Sequence, residues 1–386
     1  MMRDSSDILA MGRIDRGTPS DLLVALYLVL AITNSLVMTS VPRRLLVLVG
    51  VLLLAYEAIG FRSMKYEQMF LYLLGVWIAL GVTLNGMIFG EWWQESVYLP
   101  GNLGVALALC RGHVRRHTTI VVFYAAAAYF AYRLVTVGSP AAIHHILVNG
   151  SANGISELML ILCGLHYVVT RMEGRRIRLL PAVLCLLVSA LTLGRSGMAA
   201  AALLLLGVAV HDLVRETNRR LLAVKLILYG SVAVLAVIVV LPRLELISFV
   251  FERFSEYGLS SEGRGRIWGA YGDAMNGLAP LVGHGREELF AGYINVHSSY
   301  ILWHKAMGVM AVPLYCLAAL ALVWAAVRDW LLFVILTSLL LRASFDETIL
   351  PFRLYDFLFY YLVCTVLVTF GSRREPHAPF PRPVEA

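Results

Sequence analysis

Long apolar stretches separated by short polar turns run through most of the chain, and together they predict a bundle of membrane-spanning helices. A spanning helix needs about 20 mainly apolar residues, and about twelve stretches of this kind can be placed along the sequence. They cover residues 20–40, 44–61, 68–88, 95–110, 117–137, 153–170, 178–194, 196–211, 221–241, 299–325, 329–343 and 354–370. Residues 178–194 and 196–211 are separated only by Gly194-Arg195-Ser196-Gly197, so the pair resembles one broken span.

One long polar interval, from Leu241 to Lys305, interrupts this apolar pattern. Near its start, the apolar residues between 246 and 254 share one helical face, which favours a helix lying in the membrane interface. A second short amphipathic helix is expected after Ser261 and before Gly277. The helix that returns to the bilayer is expected to begin at His297.

Composition places the chain among integral membrane proteins. Hydrophobic residues make up 59% and charged residues 15% of the sequence, whereas soluble domains are about half apolar and a quarter charged. The net charge of +7 is typical of cytoplasmic loops in membrane proteins and does not indicate a nucleic-acid partner. The five cysteines have no paired spacing, so neither a disulfide framework nor a metal site is predicted.

The distribution of Lys and Arg predicts the topology, because short cytoplasmic loops are enriched in these residues. With the N-terminus in the cytoplasm, most basic residues fall in cytoplasmic loops, although Arg43 and Arg44 oppose this orientation. The long loop then faces outward and both termini face inward. The predicted divisions are a cytoplasmic tail (1–19), a nine-helix membrane region (20–241), the outer loop (242–298), a three-helix membrane region (299–370) and a disordered cytoplasmic tail (371–386).

Three arginines on the outer side are candidate anion ligands. Arg195 lies between two apolar helices, where a charge is costly unless it is paired or hydrated, and its small neighbours would leave space for a substrate headgroup. Arg264 and Arg266 lie at the start of the second predicted loop helix, where a guanidinium and a helix N-terminus both suit phosphate. A snorkelling side chain at Arg195, and solvated loop ion pairs at Arg264 and Arg266, are the alternatives.

The start of the returning helix supplies the other candidates. His297 can accept a proton near neutral pH, although a histidine with no chemical role is an equal alternative. Ser298 follows it directly. Lys305 lies within a spanning run, so it needs a polar cavity or an anionic partner.

Sequence motifs for a metal or nucleotide cofactor are missing. The sequence has no Asp-x-Asp or His-Glu-x-x-His motif and no Cys/His cluster. We therefore expect no metal and no cofactor. Asp346 and Glu347 follow Arg342 and precede Arg353, which suggests an ion-paired loop with a secondary chance of substrate contact.

Four short motifs follow one another along the second half of the chain. They are LTLGRSG at the helix pair, then GRGRIW and PLVGHG in the long loop, and HSSYILWHK at the helix start. Their order resembles the O-antigen ligase/polymerase family of bacterial envelopes. The resemblance covers roughly residues 180–325. Ser298 stands where the family commonly has Asn.

This resemblance implies an activity and a location. Members of the family transfer a glycan from undecaprenyl pyrophosphate to a sugar acceptor at the periplasmic face of the inner membrane, without a metal or a nucleotide sugar. Carried over to this chain, the resemblance implies that Arg195, Arg264 and Arg266 bind the pyrophosphate and that His297 activates the acceptor hydroxyl. Lys305 and Ser298 would support substrate binding at the same site.

The resemblance leaves more than one function open. A polysaccharide polymerase that joins O-antigen or exopolysaccharide repeat units is the preferred interpretation, and an O-antigen ligase acting on lipid A–core is the close alternative. The expected partners are the lipid-linked donor, the sugar acceptor, membrane lipids and a chain-length regulator. A twelve-helix transporter and a membrane assembly scaffold are more distant alternatives.

Overall fold

The computed structural model describes residues 17–37, 39–59, 66–137, 146–147, 152–192, 194–216, 218, 220–225, 227, 262–347 and 354–371. Within these ranges the chain is almost entirely helical. The α-helices are α1 (Gly17–Leu36), α2 (Ser40–Ile59), α3 (Tyr66–Phe89), α4 (Leu99–Cys110), α5 (Arg116–Thr136), α6 (Ala152–Met172), α7 (Leu180–Leu191), α8 (Arg195–Val214), α9 (Glu262–Asp273), α10 (Ala279–Val282), α11 (Ser299–Met307), α12 (Val312–Arg328), α13 (Trp330–Phe345) and α14 (Phe357–Gly371). Two 3₁₀ helices, Gln94–Tyr98 and Gly308–Ala311, precede α4 and α12.

Six helical segments in the described residues are long and apolar enough to cross a bilayer. They are Pro19–Leu36, Gln68–Phe89, Arg116–Thr136, Asn153–Met172, Arg195–Val214 and Ser299–Arg328. The only strand-like pairing in these ranges is an isolated bridge between Phe290 and Tyr293. The prediction of an all-α protein with several apolar, membrane-length helices is therefore confirmed.

Several predicted boundaries can be compared directly with the helices. The predicted split near Arg195 is confirmed, because α7 ends at Leu191 and α8 begins at Arg195. The predicted amphipathic loop helix is α9. The predicted span 221–241 lies largely, and the interfacial helix 246–254 entirely, outside the described residues.

The predicted returning helix differs from the structure in two details. It begins at Ser299 and not at His297, because His297 has a φ of 49° and therefore cannot continue a right-handed helix. It is also interrupted by the 3₁₀ turn Gly308–Ala311, where Gly308 has a φ of 55°. A side chain at Gly308 would overlap the carbonyl of Leu281, so the break accommodates a neighbouring segment.

Helix α6 lies at the centre of one half of the bundle. It packs against α5, α7, α8, α13 and α14. In its most apolar stretch, 89% of the residues are buried. Gly164 allows this packing, because a Cβ there would lie 2.9 Å from Leu358 and 3.2 Å from Ile335. The N-terminal end of α6 thereby comes next to the ends of α8 and α13.

Helices α8 and α13 pack side by side and run antiparallel. At one end, the Trp330 indole N–H donates to the carbonyl of Gly207 at 2.9 Å. At the other end, Arg342 donates to the hydroxyl of Ser196. The Asp329 side chain accepts from the N–H of Leu332 at 3.1 Å and fixes the start of α13. This arrangement brings the C-terminal end of α13 to the N-terminal end of α8.

Candidate functional site

The N-terminus of α8 is pressed against α6. Gly194 and Gly197 have no side chains, and a Cβ at either position would overlap Asn153 or Ser156 of α6. The expectation that these small residues leave space for a headgroup is therefore wrong, because α6 occupies that space. Arg195, the first residue of α8, remains half-buried at this end of the bundle.

Arg342, in the last turn of α13, joins three helices at this end. Its side chain is fully buried. The guanidinium donates to the Ser196 hydroxyl of α8, to the Asn153 carbonyl of α6 at 3.1 Å and to the Asp346 carboxylate at 2.9 Å. Its Nε has no hydrogen-bond partner among the described residues. Arg342 therefore holds positive charge at a fixed position, and one of its three nitrogens, Nε, is not used by those residues.

Asp346 is the acidic member of the cluster. Burial acts to raise the pKa of its carboxyl group, but Arg342, the N–H of Glu347 and the nearby cations outweigh burial and lower the pKa. Its backbone carbonyl accepts from the N–H and the hydroxyl of Ser299 at 3.1 and 2.9 Å. The Asp346 side chain is therefore a carboxylate, and its backbone carbonyl connects the end of α13 to the start of α11.

His297 occupies a constrained backbone position beside this carboxylate. Its φ of 49° lies in the left-handed region, which is uncommon for a residue other than glycine and is frequent at functional sites. Its N–H donates to the Asn295 side chain at 2.7 Å. One residue earlier, the Val296 carbonyl accepts from the Trp268 indole at 2.9 Å. The tryptophan of the GRGRIW sequence therefore anchors the backbone that presents His297.

Burial lowers the pKa of the half-buried His297 side chain. The charge of Asp346 acts to raise that pKa, and the charge of Arg264 acts to lower it. The net shift is downward, so the imidazole is neutral at neutral pH and can accept a proton.

Arg264 and Arg266 face different surroundings, because two residues along a helix are about 200° apart. Burial lowers the pKa of Arg264; Asp346 opposes this effect, while Arg342 and Arg195 reinforce it. Arg264 therefore belongs to the same electrostatic cluster. Arg266 is exposed, and no ion pair or hydrogen bond joins its side chain to the rest of the described chain.

Lys305 lies outside this cluster. Its fully buried ammonium group donates to the carbonyls of Arg286, Glu288 and Ile294 at 3.1, 2.9 and 3.1 Å. These bonds use all three donors of the ammonium group. Ser298 is buried at the N-cap of α11, and its side chain makes no capping bond.

The structure thus brings together part of the predicted site and adds two residues to it. Arg195, Arg264 and His297 converge, whereas Arg266 and Lys305 face other surroundings. Arg342 and Asp346 are the added members. The ion-paired loop predicted around Asp346 is confirmed for Arg342 and Asp346, and the signal that could have placed them in the site was an Arg and an Asp four residues apart at the end of an apolar stretch.

Guanidinium groups are prominent in the cluster. Those of Arg342 and Arg264 act on the Asp346 carboxylate, and that of Arg195 acts on Arg264. The N-terminus of α8 adds positive potential on the same side. Such an arrangement suits an anion with several oxygens next to a neutral imidazole. No group of three or more His, Cys, Asp or Glu side chains placed to hold a metal occurs in the described residues.

Compared with models of known protein families and with curated protein sequences, the chain has no match.

Proposed function

We propose that this chain is an inverting, metal-independent membrane glycosyltransferase that moves a glycan from undecaprenyl pyrophosphate to a sugar acceptor. The observation that carries the proposal is the convergence of Arg195, Arg264 and Arg342 beside His297 and Asp346. The cations provide an anion site and the imidazole provides a base, and glycosyl transfer from a lipid pyrophosphate needs both. The order of motifs from LTLGRSG to HSSYILWHK supports the same assignment.

Arg195 and Arg264 would bind the pyrophosphate, and the fully buried Arg342 would add positive potential behind them. When the bond between the anomeric carbon and the phosphate oxygen breaks, both electrons stay with the pyrophosphate. Guanidinium groups in a partly buried cluster stabilise that oxygen without needing to reorganise. Arg342 is held in place by Ser196, Asn153 and Asp346.

His297 would act as the general base. An acceptor hydroxyl oxygen attacks the anomeric carbon from the side opposite the pyrophosphate, and its proton passes to the neutral imidazole. The configuration at that carbon is therefore inverted. Asp346 would stabilise the imidazolium ion that forms, since its charge already favours the protonated ring.

The number of membrane spans and their orientation are part of the same proposal. We place about twelve spans in the bacterial inner membrane, with the partly helical loop 242–298 and the cluster on the periplasmic side. The alternation of Lys and Arg among the short loops supports this orientation.

Polymerisation of O-antigen or exopolysaccharide repeat units is the preferred reaction, and ligation of glycan to lipid A–core is the alternative. Both reactions use the same donor, leaving group and base, so the cluster accommodates either one. The acceptor distinguishes them.

The test is glycan transfer by purified protein from a defined lipid-pyrophosphate oligosaccharide, with EDTA present. Arg264→Ala and Arg266→Ala form a matched pair, because both remove a guanidinium from α9 but only Arg264 is in the cluster. We expect Arg264→Ala to reduce kcat/KM by about 10²–10³-fold and Arg266→Ala to have a much smaller effect. Equal retention of activity in both variants would refute the assignment of Arg264 to the site.

The products identify the function. Longer lipid-linked glycans indicate a polymerase, whereas glycan attached to lipid A–core indicates a ligase. No transfer to any acceptor, together with movement of the lipid-linked glycan or another solute across proteoliposomes, would favour the transporter alternative. Neither transfer nor transport would favour a scaffold.

A further inference from the structure

A short segment of the outer loop lies deep beside the returning helix. Helix α10 packs against the 3₁₀ turn Gly308–Ala311, and the Leu281 carbonyl fits against Gly308 because that residue has no side chain. Helix α11 is 9 residues long, so Gly308 lies about 14 Å along the helix axis from its outer end. Leu281 is therefore level with the interior of this predicted span.

Helix α3 provides an independent measure of depth. It has 24 residues, which correspond to a length of about 36 Å. This length is slightly greater than the hydrocarbon layer of about 30 Å that the helix would cross. Trp77, near its middle, donates to the Met310 carbonyl at 2.9 Å. Asn85, one turn from its outer end, donates to the Val282 carbonyl at 2.8 Å. The Leu281–Gly308 contact therefore lies between the outer end and the middle of α3.

Irregular backbone at this depth requires partners inside the protein, since lipid offers no hydrogen bonds. Side chains of the neighbouring helices supply them. Asn85 donates to the carbonyls of Val282 and His284. Lys305 donates to three carbonyls of the residues that follow, those of 286, 288 and 294.

His304 supplies another such contact. Its Nε2 lies 3.1 Å from the Pro280 carbonyl, and its Nδ1 lies 2.6 Å from the Tyr271 hydroxyl. Since the Pro280 carbonyl can only accept, Nε2 carries the proton and Nδ1 accepts from Tyr271. These hydrogen bonds give a reason for placing the polar side chains of Lys305 and His304 in an apolar run.

The outer surface of the same segment is apolar. Leu278 and Leu281 are 68% and 56% exposed. Val309 and Val312, on the adjacent predicted span, are also exposed. Because Leu281 packs directly against Gly308, these side chains form one continuous apolar surface with the lipid-facing side of the span.

We infer that residues 278–284 form a re-entrant segment that dips into the outer leaflet, with Leu278 and Leu281 in contact with lipid acyl chains. Asn85 and His304 satisfy its backbone from the protein side. Lys305 holds the residues that follow, which return to the charged end of α3, where Arg286 pairs with Glu95. Part of the predicted periplasmic loop is then within the membrane. The inference rests on depth, hydrogen bonding and exposure, and it stands apart from the proposed glycosyltransferase activity.

The test is depth-dependent fluorescence quenching on the full chain in lipid nanodiscs. Bimane is attached to Leu281→Cys, or to Leu278→Cys as a second site, in a Cys316→Ala background because Cys316 is exposed. Val323→Cys is the lipid-facing control on α12, and Asp273→Cys is the water-facing control on α9. Each sample is measured with acyl-brominated lipids and with aqueous iodide.

We expect the labels at positions 278 and 281 to lose fluorescence with brominated lipids to an extent comparable to the Val323 control, and to resist iodide. Loss with iodide alone, as expected for Asp273, would place the segment in water and overturn the inference. Resistance to both quenchers would also overturn it, because a second copy or another part of the chain would then cover the segment.

Discussion

The Arg342 guanidinium and the Asp346 carboxylate form an ion pair of 2.9 Å across the end of α13. The same carboxylate acts electrostatically on Arg264 of α9 and on His297 before α11. Arg342 in turn contacts Ser196 at the start of α8. One pair of residues therefore connects the elements that present the candidate anion ligands and the candidate base.

The pH dependence of transfer is expected to follow His297. A general base works when it is neutral, so kcat/KM should rise with pH through the His297 pKa, which burial sets below its ordinary value of about 6.5. Asp346→Asn removes a charge that raises this pKa and should move the acid limb to lower pH. Arg264→Gln removes a charge that lowers it and should move the limb to higher pH. Kinetics across pH 4–8 provide the test, and a limb that stays in place in both variants would contradict the assignment.

Replacing the base should abolish most transfer. His297→Ala is expected to reduce kcat by about 10²–10⁴-fold, since it removes the proton acceptor. His117→Ala is the matched control, because His117 is an exposed histidine on α5. Single-turnover assays with the lipid-linked donor measure the effect. Similar rates in the two variants would leave His297 without a catalytic role.

Breaking the Arg342–Asp346 pair should affect stability as well as activity. Arg342→Met leaves the Asp346 carboxylate without its principal partner, and loss of one member of a buried pair costs about 3–5 kcal/mol. Thermal unfolding of Arg342→Met, Asp346→Asn and the double variant gives the coupling energy. We expect a coupling of about 0.5–3 kcal/mol, and a value near zero would show that the pair does not act as a unit.

Lys305 should be important for the structure of residues 286–294, which precede α11. Lys305→Met leaves three carbonyls without their charged donor, at about 1–3 kcal/mol for each group that finds no other partner. Amide hydrogen exchange should increase across residues 286–294, and the unfolding temperature should fall. Arg266→Met, which removes an exposed cation, is the control and should change neither. Unchanged exchange in Lys305→Met would contradict this role.

The losses of stability in Gly308→Ala and Gly292→Ala should distinguish steric overlap with a neighbouring segment from backbone strain alone. Both glycines have positive φ, 55° and 85°, but a Cβ at Gly308 would overlap Leu281 whereas a Cβ at Gly292 meets nothing within 4 Å. Gly292→Ala should therefore show only the cost of strain, about 1–2 kcal/mol. Gly308→Ala should lose about 1–3 kcal/mol more, measured by thermal unfolding. Equal losses would mean that α10 does not press on Gly308.

Some features followed from the sequence alone. Apolar stretches of spanning length predicted a helical membrane protein, because a helix is one of the few structures that satisfy backbone groups in lipid. The amphipathic pattern around Ile267 and Tyr271 predicted α9, and both side chains are buried. The charged pair Arg342 and Asp346 was recognised as an ion pair. These features depend on residues close together in the chain.

Tertiary packing decided which charges meet. Sequence spacing gave Arg264 and Arg266 the same status, but only Arg264 enters the cluster, because α9 turns Ile267 towards the protein and leaves Arg266 exposed. The glycines near Arg195 predicted open space, but α6 fills it. Lys305 was expected to face substrate, but its ammonium binds carbonyls of a segment 11 to 19 residues earlier in the chain. Such contacts depend on how separate helices and loops pack, and the local pattern of apolar and polar residues does not specify that packing.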